Sequence, residues 1–312
     1  MNEFPVRDRI AVNLVWEAIL AVVAGVLIVA MISLTTHHNL TSAMNSAGYL
    51  GLIAAGLAFS LRTGSPNLAV GAITGFSATL AAYLCTEHGW GKWVAVAAAV
   101  GAATLIGLVL GLLSGMLSVP AWATTLGAGF ALQAGALGLA NYRVINFPLS
   151  GKYPTALWLT LFLFISVGGG LLWLIPGLRR ALSAARLPGD PGRWAGMGPA
   201  LSQTAGLAGS SLLAGLAAAP LLAYLGAAEP TEGPALTVPA LAAVLIGGVS
   251  IFGRRAGIFG TALGVVILTV GQTLLTYNAV SSWVWMLLTG LAVLVGLVIS
   301  RLLETITDAF GA

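Results

Sequence analysis

The stretch VNLVWEAILAVVAGVLIVAMISL, residues 12–34, holds one ionisable side chain, Glu17, in 23 positions. As a helix it would be about 34 Å long, enough to cross roughly 30 Å of hydrocarbon. No small-residue cleavage site ends it convincingly, so it reads as a first membrane span and not as a secretory leader. Outward from it, similar apolar runs cover residues 47–61, 68–85, 93–117, 121–141 and 155–175, then 201–225, 238–252, 257–277 and 283–303. The expected fold is therefore an all-α polytopic transmembrane bundle of about ten spans in a single domain, 1–312. The second and eighth runs are short enough to be partial or re-entrant.

Composition excludes a water-soluble globule. In 312 residues, 58% are hydrophobic and 7% charged, and mean hydropathy is +0.99. The 41 glycines are spread through apolar runs, where small residues let helix backbones approach closely. A formal charge of +4 does not indicate nucleic acid, because no basic face is clustered on a soluble domain. Cys85, the only cysteine, excludes an internal disulfide or Cys-based metal site and is expected to pack.

Charge placement tests the span count independently. With a cytoplasmic N-terminus, the inner segments hold Arg7, Arg9, Arg62, Arg179, Arg180, Arg186, Arg193, Arg254, Arg255 and Arg301. The outer ones hold Lys92, Arg143 and Lys152, so 10 of the 13 basic residues fall inside and the C-terminus is cytoplasmic as well. The one long polar stretch, residues 177–200, is inner; it has room for a short surface helix and two turns on which a partner can dock.

No convergent carboxylates or activated nucleophile mark intramembrane catalysis, so no catalytic or metal residue is assigned. Glu17 is close enough to the inner boundary to reach water or to favour a helix N-terminus. His37 and His38 are expected in a short outer loop, solvated, as is His88. HGWGKW, residues 88–93, lacks the upstream glycine and the Ser or Thr of a phosphate loop, so no nucleotide binds there. Ion coupling has no obvious carboxylate to use. Neutral polar residues remain as candidates along a solute path: Asn45, Ser65, Asn67, Thr124, Thr125, Gln133, Gln272 and Asn278. Two Gly-rich breaks, residues 63–75 and 246–260, either interrupt helices within the membrane or turn at its inner edge.

Four segments carry a family likeness. TGSPNLAVGAITGFSA (63–78) has Leu68, Val70 and Gly71 in a signature where Asn67 stands in place of the usual aspartate. VPAWATTLGAGFALQAGALGL (119–139) has Val119, Pro120, Thr125, Leu126 and Gly127 in place. RRALSAARLPGDPGRWAGM (179–197) is similar to a coupling loop, and 226–268, continued by NAVSSWVWMLLTGLAVLVG (278–296), carries Pro-Thr-x-Gly, Gly-Gly-x-Ser and Gly-x-x-x-Gly-Thr. Together they resemble the permease subunits of bacterial ATP-binding-cassette importers of the ribose, xylose and autoinducer-2 group, relatives of branched-chain amino-acid permeases.

The resemblance implies a multi-pass protein of the bacterial cytoplasmic membrane, carrying a small polar solute, sugar-like, delivered by a periplasmic or lipid-anchored binding protein. It further implies a second permease subunit, identical or different, and a cytoplasmic ATPase that holds the ATP and magnesium; this chain itself takes no cofactor and no nucleic acid. Arg179, Arg180, Arg186, Asp190 and Arg193 would contact that ATPase. The departure at Asn67 leaves the sugar class open. A stand-alone secondary transporter or channel, or a degenerate permease that transports nothing, are the alternatives.

Overall fold

A backbone crossing hydrocarbon must satisfy its own hydrogen bonds, and this chain does so with helices. The computed structural model describes residues 10–35, 37–147, 155–183, 196–251 and 258–309. In order they form α1 (Ile10–Leu34), α2 (His37–Arg62), α3 (Val70–Thr86), α4 (Lys92–Leu117), α5 (Ala121–Ala140), α6 (Thr155–Leu172), α7 (Pro176–Leu182), α8 (Met197–Leu216), α9 (Ala218–Leu225), α10 (Thr237–Ile246), α11 (Gly260–Tyr277) and α12 (Ser282–Ala309). Two residues from each of two loops add an antiparallel pair, β1 (Ile145–Asn146) with β2 (Ala227–Ala228).

Among the described residues, eight helices are long and apolar enough to cross a membrane, counting α8 and α9 as one run from Met197 to Leu225. Two apolar helices are shorter, Val70–Thr86 and Pro234–Ile246. The eighth run is short, as expected. The second is not: α2 begins at His37, ten positions before its apolar run, because Ala43 and Leu40 pack with Met31 and Val270 while Ser42 bonds the Tyr224 hydroxyl at 2.9 Å. His37 and His38 consequently open a helix instead of sitting in a loop. His88 lies in the exposed turn after α3, edge-on to Tyr83 at 5.2 Å.

The core is organised around α2, on which Leu52, Ile53, Ala54 and Leu57 have no exposed surface. α6, α8, α10 and α11 surround it. Inside a bilayer, apolar burial does not drive helices together, so close packing has to come from small residues. The most extensive contact, α4 against α8, follows that rule. Gly107, Gly111 and Gly115 recur every four residues on α4, and a Cβ there would strike Leu207 and Ser211, Thr204, and Ala200 in turn. The pairing runs antiparallel, with Gly215 against Ala103 at the far end.

α1, α5 and α12 lie at the periphery. On α1, Val15, Val22, Val26 and Val29 are about two-thirds exposed, as suits a surface solvated by lipid tails. Trp90 and Trp93, exposed at the α3–α4 turn, suit an interfacial aromatic belt.

Candidate functional site

The first Gly-rich break is a largely buried knot held by hydrogen bonds. After Arg62 the chain leaves α2, and α3 starts only at Val70. Gly64 takes φ +77°, a value only glycine adopts without strain, and it lets the chain reverse between Thr63 and Ser65. The Thr63 and Ser65 hydroxyls bond each other at 2.7 Å, and both have no exposed surface. A Cβ at Gly206 of α8 would collide with both hydroxyls. Gly206 is nine residues into α8, about 13 Å from its start at 1.5 Å per residue, so the break sits well inside the helix bundle and not level with the helix ends.

Asn67 is the centre of the knot. Its Nδ2 donates to Ser210 Oγ and Ser211 Oγ, each at 3.2 Å, and its Oδ1 accepts from the Ala69 amide at 3.1 Å. Its own amide donates to Ser60 Oγ at 3.1 Å. Every polar atom of the side chain is engaged, and its exposure is 0%. In this conformation Asn67 and Ser65 touch protein, and they hold α3 onto α2 and α8. The Ser210–Ser211 pair escaped sequence reasoning; two adjacent hydroxyls in the middle of an apolar run were the available signal.

α5 reaches the knot from the other side. The Thr125 hydroxyl accepts from the Leu68 amide at 3.1 Å and donates to Ala121 O at 2.8 Å. One turn on, Gly129 faces Ala69 and Ala72, and one turn further, Gln133 Nε2 donates to Pro230 O at 2.7 Å. These three positions, four residues apart, form one stripe on α5. The loop 226–236 held by Gln133 descends to the start of α3: a Cβ on Gly71 would overlap Gly233 O and Thr237, and the Gly71 amide donates to Thr237 Oγ1 at 3.2 Å. The two shorter helices, α3 and α10, therefore begin beside each other within the bundle, and α5 is bonded to the segment that leads into each. We expect Gln133→Leu to speed hydrogen exchange of the 229–233 amides by about tenfold, since the Pro230 carbonyl loses its partner, with little change elsewhere.

The flank of α5 beside this stripe is bare. Trp122, Leu126 and Phe130, again four residues apart, are 54%, 46% and 73% exposed. Thr124 is half-buried and bonds Ser114 Oγ at 3.2 Å. The other candidates stand apart from this site. Asn45 is half-buried on α2, Gln272 is half-buried on α11, and Asn278 is exposed at the end of α11 with Nδ2 donating to Leu274 O at 2.8 Å.

The second break has a different support. A Cβ on Gly247 or Gly260 would strike the other's backbone, so α10 and α11 cross at a glycine pair. Glu17 is 5% exposed, so it does not reach water; its Oε1 accepts from the Phe259 and Gly260 amides at 2.8 and 3.0 Å. Trp16 Nε1 donates to Ile246 O at 2.8 Å, and Ser250 bonds Glu304 of α12.

Toward the polar segment, α7 carries Arg179 and Arg180, with Leu182 O accepting from Ser202 of α8 at 2.5 Å. Arg186, Asp190 and Arg193 lie outside the described residues. A cavity of about 130 Å³ lies beside α7, lined by Arg62, Ser166, Trp173, Leu178, Leu182 and Thr261 among others. Among the described residues no three His, Cys, Asp or Glu side chains gather as a metal site would require.

Comparison with known proteins agrees with this architecture. A stretch of 74 residues is 35% identical to the ribose import permease protein RbsC of Bacillus subtilis (strain 168), covering 24% of this chain and 23% of that one. The match thus spans about a quarter of the relative's length. No solved structure matches. Residues 39–176 and 192–297 match the permease component of the branched-chain amino acid transport system, over most of the chain and on both sides of the polar segment. That coverage places α2 to α6 and α8 to α12 in one shared architecture, and the chain belongs to this family of transport permeases.

Proposed function

We propose that the chain is the membrane-spanning subunit of an ATP-binding-cassette importer for a small polar, sugar-like solute, working beside a second permease subunit. The observation that carries this is α5, bonded by Thr125 and Gln133 to the segments that lead into α3 and α10, and bare along the neighbouring stripe of Trp122, Leu126 and Phe130. A helix so placed suits the seam between two subunits, where its movement would shift both buried breaks together. Solute from a binding protein passes along that seam.

In this arrangement ten segments cross or enter the membrane, α3 and α10 as half-spans, with both chain ends cytoplasmic in a bacterial inner membrane. The positive-inside distribution supports that orientation. Energy comes from an ATPase that binds ATP and magnesium and docks at 177–200, with Arg179 and Arg180 on α7 at the contact and Arg186, Asp190 and Arg193 following it. The polar residues of the solute path are Thr124 and Gln133 on α5, with Asn67, Ser65 and Thr125 holding the break behind it; Asn45, Gln272 and Asn278 belong to the path only if access changes bring them in. A sugar-like solute is supported by the local likeness to a ribose permease.

The test is purification of the tagged chain in mild detergent, identification of co-purifying subunits, and ATP turnover with and without the binding protein. We expect an ATPase partner and turnover stimulated by the binding protein. Uptake by the chain alone in vesicles would overturn the proposal and indicate an ion-coupled carrier or channel.

A further inference from the structure

The long-range hydrogen bonds of α1 fall on the second break. Its lipid-facing residues are exposed, the stretch matching the permease family starts at residue 39, after this helix, and α1 packs chiefly on α11. Yet it supplies three long-range side-chain bonds. Trp16 donates to the last carbonyl of α10, Ile246 O, and Glu17 accepts from the Phe259 amide and from Gly260, the first residue of α11. Neighbouring residues on one helix thus bind the end of one broken helix and the start of the next.

The chemistry suits each end. The final carbonyls of a helix lack intrahelical donors and carry partial negative charge, which an indole N–H satisfies. The first amides lack acceptors and carry partial positive charge, which a carboxyl oxygen satisfies. In hydrocarbon each of these groups would otherwise remain unpaired at a cost of several kcal/mol. The glycine pair at 247 and 260 gives the crossing no side chain of its own to fix the angle. α1 supplies what the crossing lacks.

We propose that Glu17, with Trp16 beside it, is a positioning residue that locks α10 and α11 to α1, so that the three move as one body when the transporter changes access. The lock is a property of the chain alone; its consequence for uptake rests on the function proposed above. Glu304 acts on the same loop from α12 through Ser250, which leaves the region anchored on two sides.

The experiment uses the full chain in lipid nanodiscs and reads hydrogen exchange at Phe259 and Gly260, then solute uptake by the assembled complex. Glu17→Leu keeps α1 apolar and removes the acceptor; exchange at those two amides should rise about tenfold or more. Maximal uptake should fall about fivefold with KM unchanged, because gating and not solute contact is altered. Glu17→Gln keeps an acceptor oxygen and should restore both readouts to within about threefold of the original chain. Unchanged exchange in Glu17→Leu would overturn the lock, and faster exchange with unaltered uptake would overturn its positioning role. If Glu17→Leu does not fold, Trp16→Phe removes only the bond to Ile246 O and should lower maximal uptake with the same KM; no change would count against the proposal. Absence of uptake in the unmodified complex would defeat the proposed function, while the exchange measurement would still decide the lock.

Discussion

Gly111→Leu should abolish recovery of a folded, monodisperse chain in mild detergent, or lower its unfolding free energy by about 3 kcal/mol or more. The new Cβ would land on the Thr204 backbone, which has no rotamer by which to retreat. The rest of the leucine would then force α4 and α8 apart along the ladder of Gly107, Gly111 and Gly115. Neither lipid nor detergent rewards refilling that gap, because the packing of backbone on backbone is what holds the pair. Gly101→Leu is the control. Gly101 lies on the same helix with nothing within 4 Å of its Cβ position, so its replacement should leave size-exclusion behaviour and thermal midpoint nearly unchanged. Equal tolerance of both changes would show that the glycine ladder is not what joins α4 to α8.

The second large effect is expected at the knot. Asn67→Leu strips two donors and one acceptor from a site with no exposed surface, stranding the Ala69 amide and two serine hydroxyls. A loss of about 2 to 4 kcal/mol follows from unpaired buried groups, with the serines able to recover part of it by rotating to backbone carbonyls. Asn67→Asp should cost about 1 kcal/mol or less. Ser210 and Ser211 can turn their hydroxyls to donate where they now accept, the Ala69 amide keeps its acceptor, and the start of α3 three residues on favours a negative charge. The signature that residues 63–78 resemble has aspartate at this place, and reversal of two hydroxyls would let the same pocket take either residue. Thermal unfolding of the three proteins in one detergent measures the series; an aspartate variant as unstable as the leucine one would contradict this account.

Much of this architecture is legible in the sequence because hydrocarbon imposes one backbone solution. The runs 93–117 and 121–141 fall within one residue of α4 and α5, since Gly91, Pro120 and Asn141 mark their ends and the last takes a left-handed conformation suited to a helix stop. α2 was underestimated because its first two turns are polar; hydropathy sees composition, whereas the helix is extended by contacts from α1 and α11. The breaks at 63–75 and 246–260 announced themselves through Gly and Pro, but their depth did not. Depth depends on Ser210, Ser211 and Gly206, more than 130 residues from the first break; the adjacent serines stand out in an apolar run, but nothing local says that the break packs on them. Glu17 is the same case. A carboxyl one turn into an apolar run reads as a residue reaching for water or favouring a helix N-terminus, and only the fold selects the second and shows that its partners are two amides over 240 positions away.

The loop 226–236 places an exposed tip, Thr231 and Glu232, directly between two buried anchors, Pro230 and Gly233. One anchor is the acceptor for Gln133, and the other lies against Gly71. A displacement imposed on that tip from outside therefore crosses a single peptide unit before it acts on α5 or on the first turn of α3. The usual route inward, tilting a rigid rod tens of ångströms long, is bypassed. In the importer proposed above, where a touch on one surface would have to become a rearrangement at the middle, the wire would be shortened almost to nothing, with a buried proline and a buried glycine as its two terminals.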